Sequence, residues 1–181
     1  MKIHPRDHVD QVRAAWAREW PDLDTSPIDV IARTGRLARY FDNALDRVFA
    51  SYGLRREHWD VLASLRRAGP PYRASPTDLY QGLMRTSGAM SHRLRRLESA
   101  GLIRRVPAAD DARSLLVELT EEGHRLVDEI APRHVANERQ LLGPLTDSER
   151  QVLADLLAKL LVHFEATHGS PPDPPVRRRA C

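Results

Sequence analysis

The sequence predicts a mainly α-helical chain with one small β-hairpin. Three observations predict it. Apolar residues recur at helical spacing in long segments on both sides of the chain's middle. The middle, from Ser75 to Ala100, holds two helix candidates split by a short polar turn. Two short apolar runs around a polar turn, Leu102 to Val106 and Leu115 to Leu119, then follow directly. Helix, turn, basic helix and hairpin, in that order, make a winged helix-turn-helix, with a helical dimerisation region around it.

The elements follow in chain order. Over residues 6–20, Val9, Val12, Trp16 and Trp20 keep helical spacing, and Pro21 closes the segment. Ser26-Pro27 starts a long helix that runs to Tyr52 and stops at Gly53. Its stripe is Val30, Ile31, Leu37, Phe41, Leu45, Val48 and Phe49. Residues 55–67 form a further helix with Trp59, Leu62 and Leu65, and Gly69-Pro70-Pro71-Tyr72 is a stiff connector. Ser75 is placed to accept a bond from an unsatisfied backbone N–H, Pro76 suits the first helical position, and Asp78 suits the positive end of the helix dipole. Gly82 and Arg85-Thr86-Ser87-Gly88 mark the turn, and Gly101 stops the second helix. Thr120 caps a helix that Pro132 is expected to kink or interrupt. Thr146 and Glu149 form a capping box that opens a helix with Val152, Leu153, Leu156, Leu157, Leu160, Leu161 and Phe164. That apolar face is too broad for a lone surface helix and calls for a partner. Residues 169–181 are Pro-rich and lack core residues, which predicts a disordered tail whose Arg177 to Arg179 add weak phosphate contact.

The second helix of the pair carries the chemistry. Met90, Leu94 and Leu97 make one apolar stripe. At about 100° per residue, Gly88, His92, Arg95 and Ser99 lie opposite it, with Ser91 and Arg96 on the flanks. Between residues 85 and 105 the cations Arg85, Arg93, Arg95, Arg96, Arg104 and Arg105 face one acid, Glu98. A charge run is usually a solvated face. Here the excess has one sign and sits on the second helix of a tight pair, which points to duplex DNA. Ser87, Gly88, Ser91, His92, Arg95 and Arg96 are the expected contacts. Arg113 near the wing tip is placed to enter an adjacent minor groove, or to pair with Asp111.

Composition narrows the alternatives. The chain has 181 residues, enough for one well-buried domain, with 41% hydrophobic and 29% charged residues. The formal net charge is only +3, so the basic signal is local clustering. Aromatic residues make up 6%, too few for a single-strand binder that stacks bases. One cysteine, Cys181, supports neither a disulfide framework nor a multi-cysteine metal site, and no cofactor is expected. No apolar run approaches the ~18 residues that span a bilayer, and the first residues have no signal-peptide core, so a cytoplasmic protein without membrane contact is expected. There is no Gly-rich phosphate loop, His-Glu-x-x-His or nucleophile elbow, so no enzyme is expected. A winged helix that binds a protein partner without touching bases is the distant alternative, disfavoured by the arginines of the second helix.

The helix pair from Ser75 to Ala100 and the run Asp111-x-Arg113 with Leu119-Thr120-x-x-Gly123 resemble the MarR family of bacterial transcription regulators. The resemblance covers roughly residues 27–166. It implies a homodimer with interlocking terminal helices, here residues 27–52 and 120–166, around a winged helix-turn-helix at 55–119. One MarR-like domain then spans 1–168. It further implies repression at a pseudo-palindromic duplex site. Redox-sensing members use a cysteine in the folded body, which this sequence lacks.

The N-terminal extension and several short runs resemble the urate-responsive branch of that family. They are Asp7 to Trp16, Pro21 to Asp24, His58 to Arg67, Gly69 to Arg73, Leu79-Tyr80 and Leu83-Met84. That branch holds an anionic purine with a Trp, an Asp and two Arg, and the matching positions are Trp16, Asp60, Arg93 and Arg105. The resemblance thus implies DNA release on binding urate or a similar small anion; a different organic anion, a phenolic compound or no ligand is the alternative. The residues themselves leave the pocket open. Arg93 flanks the apolar stripe and so needs a carboxylate or an anionic ligand, and Arg105, in phase with Ile103, also points toward the body. Asp60 lies away from the Trp59, Leu62 and Leu65 face, where a plain surface carboxylate is as good a reading. A Trp such as Trp16 is more often a packing residue than a ligand-stacker.

Overall fold

The computed structural model describes residues 6–83, 87–108 and 114–168, with side chains except at 82, 87–89 and 168. The side chains of Ser87 and Gly88, the wing-tip residue Arg113, and the segment 169–181 with Cys181 therefore lie outside the described residues. The chain forms two units, Met1–Arg47 and Val48–Cys181.

In the first unit, α1 (His8–Glu19) opens on a reciprocal cap. Asp7 Oδ1 accepts the N–H groups of Val9 and Asp10 at 2.7 and 3.1 Å, and Asp10 Oδ2 accepts the Asp7 N–H at 2.8 Å. The same carboxylates meet Arg33 on α2 (Ile28–Ala50). Arg33 binds Asp7 at 2.7 Å, Asp10 at 2.8 Å and Asp29 at 2.7 Å, and Arg13 binds Asp29 at 2.5 Å. The Arg33 guanidinium, with the two capping N–H groups, holds the Asp7 carboxyl below its usual range. The α2 stripe is less covered than its spacing predicts. Val30, Ile31 and Leu37 are exposed, and burial is complete only at Ala44 and Phe49.

The second unit contains α3 (Arg56–Arg67), β1 (Arg73–Ala74), α4 (Pro76–Gly82), α5 (Ser87–Ser99), β2 (Ile103–Pro107), β3 (Leu115–Leu119), α6 (Glu121–Leu141) and α7 (Asp147–His168). Val61, Leu62, Leu65, Leu79, Met90, Leu94, Leu97, Ile103, Val117, Leu119, Val127 and Ile130 form its core. Ser75 caps α4 by accepting the Asp78 N–H at 3.0 Å, and Gly101 ends α5 with φ of +72°, a conformation that side chains disfavour.

The expected hairpin forms as β2 and β3, and a third strand extends it to an antiparallel sheet in the order β1-β3-β2, because Arg73 and Ala74 pair with Glu118 and Val117. The connector before them turns back along β3. Tyr72 takes φ of +60° and its carbonyl accepts the Leu119 N–H at 3.2 Å, with the His124 ring 4.3 Å and the Arg66 guanidinium 5.0 Å from its own ring. Of the two outcomes expected at Pro132, a kink or an interruption, the interruption does not occur, and α6 continues through it. Ile130 is fully buried before it, and after it His134 packs on Phe49 and Trp59 at 5.3 and 5.5 Å, so packing on both sides offsets the lost hydrogen bond.

Thr146 and Glu149 make the expected capping box, with bonds of 2.8 and 3.3 Å. The apolar residues of α7 all stand in the open, 39% to 57% exposed from Val152 to Phe164 at the positions predicted above.

The β3-to-α6 junction is closely packed against the end of α5. Thr120 Oγ1 accepts the Gly123 N–H at 3.0 Å and donates to the Gly101 carbonyl at 2.6 Å, while the Thr120 N–H donates to the Leu102 carbonyl at 3.2 Å. A Cβ on Gly123 would lie 2.1 Å from the Leu102 carbonyl oxygen, against backbone that cannot yield cheaply. Gly123→Ala is therefore expected to cost about 2 to 3 kcal/mol, read as a lower urea midpoint at fixed protein concentration.

Candidate nucleic-acid interface

Helix α5 is fixed by one face and offers the other. Met90, Leu94 and Leu97 are buried in the core. Ser91, His92, Arg95, Arg96 and Ser99 are exposed on the remaining surface. His92, Arg95, Arg96, Ser99 and Ala100 line a shallow concavity of about 540 Å³. Cationic, imidazole and hydroxyl groups on one rigid helical face suit phosphate oxygens and base edges.

The surrounding charges are arranged around this face. Glu98, the acid of α5, accepts the Arg105 Nε–H of β2 at 3.2 Å. On the opposite face of β2, Arg104 donates to Glu118 Oε1 through Nη2 at 2.5 Å and Nε at 3.1 Å. Arg73 Nε of β1 lies 3.5 Å from Glu118 Oε2. Behind α5, His58 is buried on α3, and its Nδ1 accepts the Arg55 N–H at 3.3 Å. Burial pushes the His58 pKa down, and the nearby charges of Arg96, Arg55 and Arg93 act the same way against the opposing pull of Glu57.

Of the residues singled out for DNA, Ser91, His92, Arg95 and Arg96 share one exposed face. The α5 backbone begins at Ser87, so Ser87 and Gly88 sit in its first turn. The residues singled out for a ligand belong to four different elements. Trp16, in the first unit, stacks on Trp20 with ring centroids 6.1 Å apart and is 40% exposed. In the second unit, Asp60 on α3 and Arg93 on α5 are half-buried, and Arg105 on β2 is engaged by Glu98. Sequence reasoning missed Glu118, a carboxylate buried between arginines of two neighbouring strands. An acid flanked by Val117 and Leu119, opposite the Arg104-Arg105 pair, was the available signal. Among the described residues, no group of three or more His, Cys, Asp or Glu is placed to hold a metal ion, and no helix is long and apolar enough to cross a membrane.

The sequence profile of the MarR family matches residues 52–114, which contain α3, β1, α4, α5 and β2. The HTH-type transcriptional regulator PecS of Dickeya dadantii is 40% identical over 156 residues, covering 86% of this chain and 94% of that protein. AbsC, a MarR family transcriptional regulator from Streptomyces coelicolor, superposes with a TM-score of 0.70 at 26% identity, over 80% of this chain and 99% of that one. Sco3205 from the same organism, a MarR family regulator solved in complex with DNA, gives a TM-score of 0.70 at 25% identity over 83% and 99%. The chain belongs to the MarR family and is a DNA-binding transcriptional regulator rather than an enzyme.

Proposed function

We propose that the chain is a homodimeric repressor that binds a pseudo-palindromic operator and leaves it on capturing a small anion of the urate class. The exposed face of α5 carries the reading. Ser91, His92, Arg95 and Arg96 stand outward from a stripe locked in the core. Each subunit lays this helix in the major groove, with Ser87 and Gly88 at its leading end. Two-fold symmetry then sets half-sites about one helical turn, ~34 Å, apart. Strands β2 and β3 form the wing, with Arg113 at the minor groove. The dimer is supported by the open apolar face of α7, which is larger than a lone soluble subunit normally leaves in water.

The ligand reading rests on Trp16, Asp60, Arg93 and Arg105, and on the 40% identity to PecS. Arg93 is half-buried on the recognition helix itself, so an anion held there acts directly on the element that reads DNA. The Arg105 pairing with Glu98 favours a second reading, in which the regulator answers another organic anion, a phenolic compound or no ligand.

Three outcomes test these proposals. Arg95→Ala is expected to weaken operator binding by about 1 to 3 kcal/mol and to lower the slope of log K against log salt by about one, measured by fluorescence anisotropy across a salt series. Leu157→Glu is expected to shift the protein to monomers in sedimentation velocity and to weaken operator binding roughly a hundredfold, because each dimer would bury two unpaired charges; a dimer that persists would sink the role given to α7. Urate is expected to release the wild-type protein from DNA of its own upstream region, while Arg93→Ala keeps most of the affinity and loses the response. Tight binding indifferent to urate would leave the repressor and discard that signal.

A further inference from the structure

We infer that Glu118 is the positioning residue of the wing, holding the β2–β3 hairpin at a fixed angle to the helix-turn-helix through Arg73. Three side chains stand in one cross-strand row, because Arg73 and Arg104 are both register partners of Glu118. The central carboxylate is 12% exposed, against 35% for Arg73 and 63% for Arg104. Arg104 satisfies Oε1 with two hydrogen bonds, and Arg73 Nε approaches Oε2 at 3.5 Å. That Nε is buried and has no hydrogen-bond partner among the described residues, so the Glu118 charge offsets its desolvation.

The row lies where the sheet changes width. Ala74 is the last residue of β1, and from Val106 and Leu116 outward the hairpin has two strands. Ala74 leads directly into Ser75, the cap of α4. Glu118 therefore joins the wing to the strand that launches the helix-turn-helix. On the other face of β3, Val117 and Leu119 are anchored in the core. Loss of the Glu118 charge loosens β1 from β3 and leaves that core face intact. The wing then keeps its fold and loses its aim.

This inference rests on the proposed wing contact with DNA, and one experiment separates the two. Hydroxyl-radical footprints are taken on an operator fragment with saturating wild-type protein and with Glu118→Gln. Wild type is expected to protect the centre of each half-site through α5 and the flanks through the wing. Glu118→Gln is expected to keep the central protection, lose the flanks and bind about tenfold more weakly. Flanks that survive Glu118→Gln overturn the positioning role alone. A wild-type footprint without flanks overturns the wing contact and the positioning role with it. Tighter binding by Glu118→Gln with a steeper salt dependence also overturns it, by making Arg73 and Arg104 phosphate contacts that Glu118 restrains. Should Glu118→Gln fail to fold, Arg73→Met breaks the same link and leaves Glu118 paired with Arg104; it is expected to lose the same flanks, and flanks that survive it overturn the role.

Discussion

The close approach of Gly123 to the Leu102 carbonyl is the constraint on which the reading head depends. With no Cβ at 123, the first turn of α6 lies against the turn that ends α5, and Thr120 bonds to both sides of the contact. Three bonds from one threonine thus fix the end of β3, the start of α6 and the Gly101-Leu102 turn in a common frame. The Leu-Thr-x-x-Gly run has a physical meaning here. The leucine anchors β3 in the core, the threonine caps, and the glycine permits the approach. A displacement of α6 would consequently be delivered to Gly101, two residues past the end of α5.

Electrostatics in this unit is a matter of sorting rather than of total charge. The net charge of +3 gives little long-range field. Glu118 neutralises Arg104 and faces Arg73, Asp128 takes Arg66, and Glu98 turns toward Arg105. Drawing Glu98 to the wing side removes the acid of α5 from the balance of its outer surface. Arg95 and Arg96 then present a cationic strip, with the His92 imidazole beside it, on a helix that the core holds by its Met90, Leu94 and Leu97 face. Such a strip favours phosphate over a polar protein surface, because release of condensed counterions accompanies each contact.

What the sequence revealed, and what it concealed, follows from the range of the forces involved. Periodicity and caps are local, so the Met90, Leu94 and Leu97 stripe, the Ser75 and Thr120 caps and the Thr146 box were all legible. Strand β1 was not, because two residues have no period and their pairing is set by a turn at Tyr72. At Pro132 a local rule was overridden by packing that only the folded unit supplies. The Arg33 network joins residues up to 26 apart and leaves no trace in spacing. The exposure of Ser91, His92, Arg95 and Arg96 was readable because it follows from helical periodicity alone. The charged row at Glu118 was not, since strand alternation sends a glutamate between Val117 and Leu119 toward water, and two arginines on neighbouring strands cover it instead.

The proposed response to a ligand sets a quantitative demand on Arg93. A hundredfold loss of DNA affinity requires about 2.7 kcal/mol of difference in ligand binding between the DNA-competent and released states. An exposed ion pair supplies about 1 kcal/mol or less and cannot meet that alone. A half-buried arginine is better placed, since a carboxylate or urate oxygen beside it gains from partial desolvation, and its backbone belongs to the helix proposed to read DNA. Arg105 adds to this only if Glu98 gives it up. An anion that captured Arg105 would free Glu98 on α5 and return a negative charge to the helix that faces DNA. In the proposed mechanism, capture at Arg105 and repulsion at Glu98 therefore act in the same direction, and the ion pair at 3.2 Å is the contact through which the two would be linked.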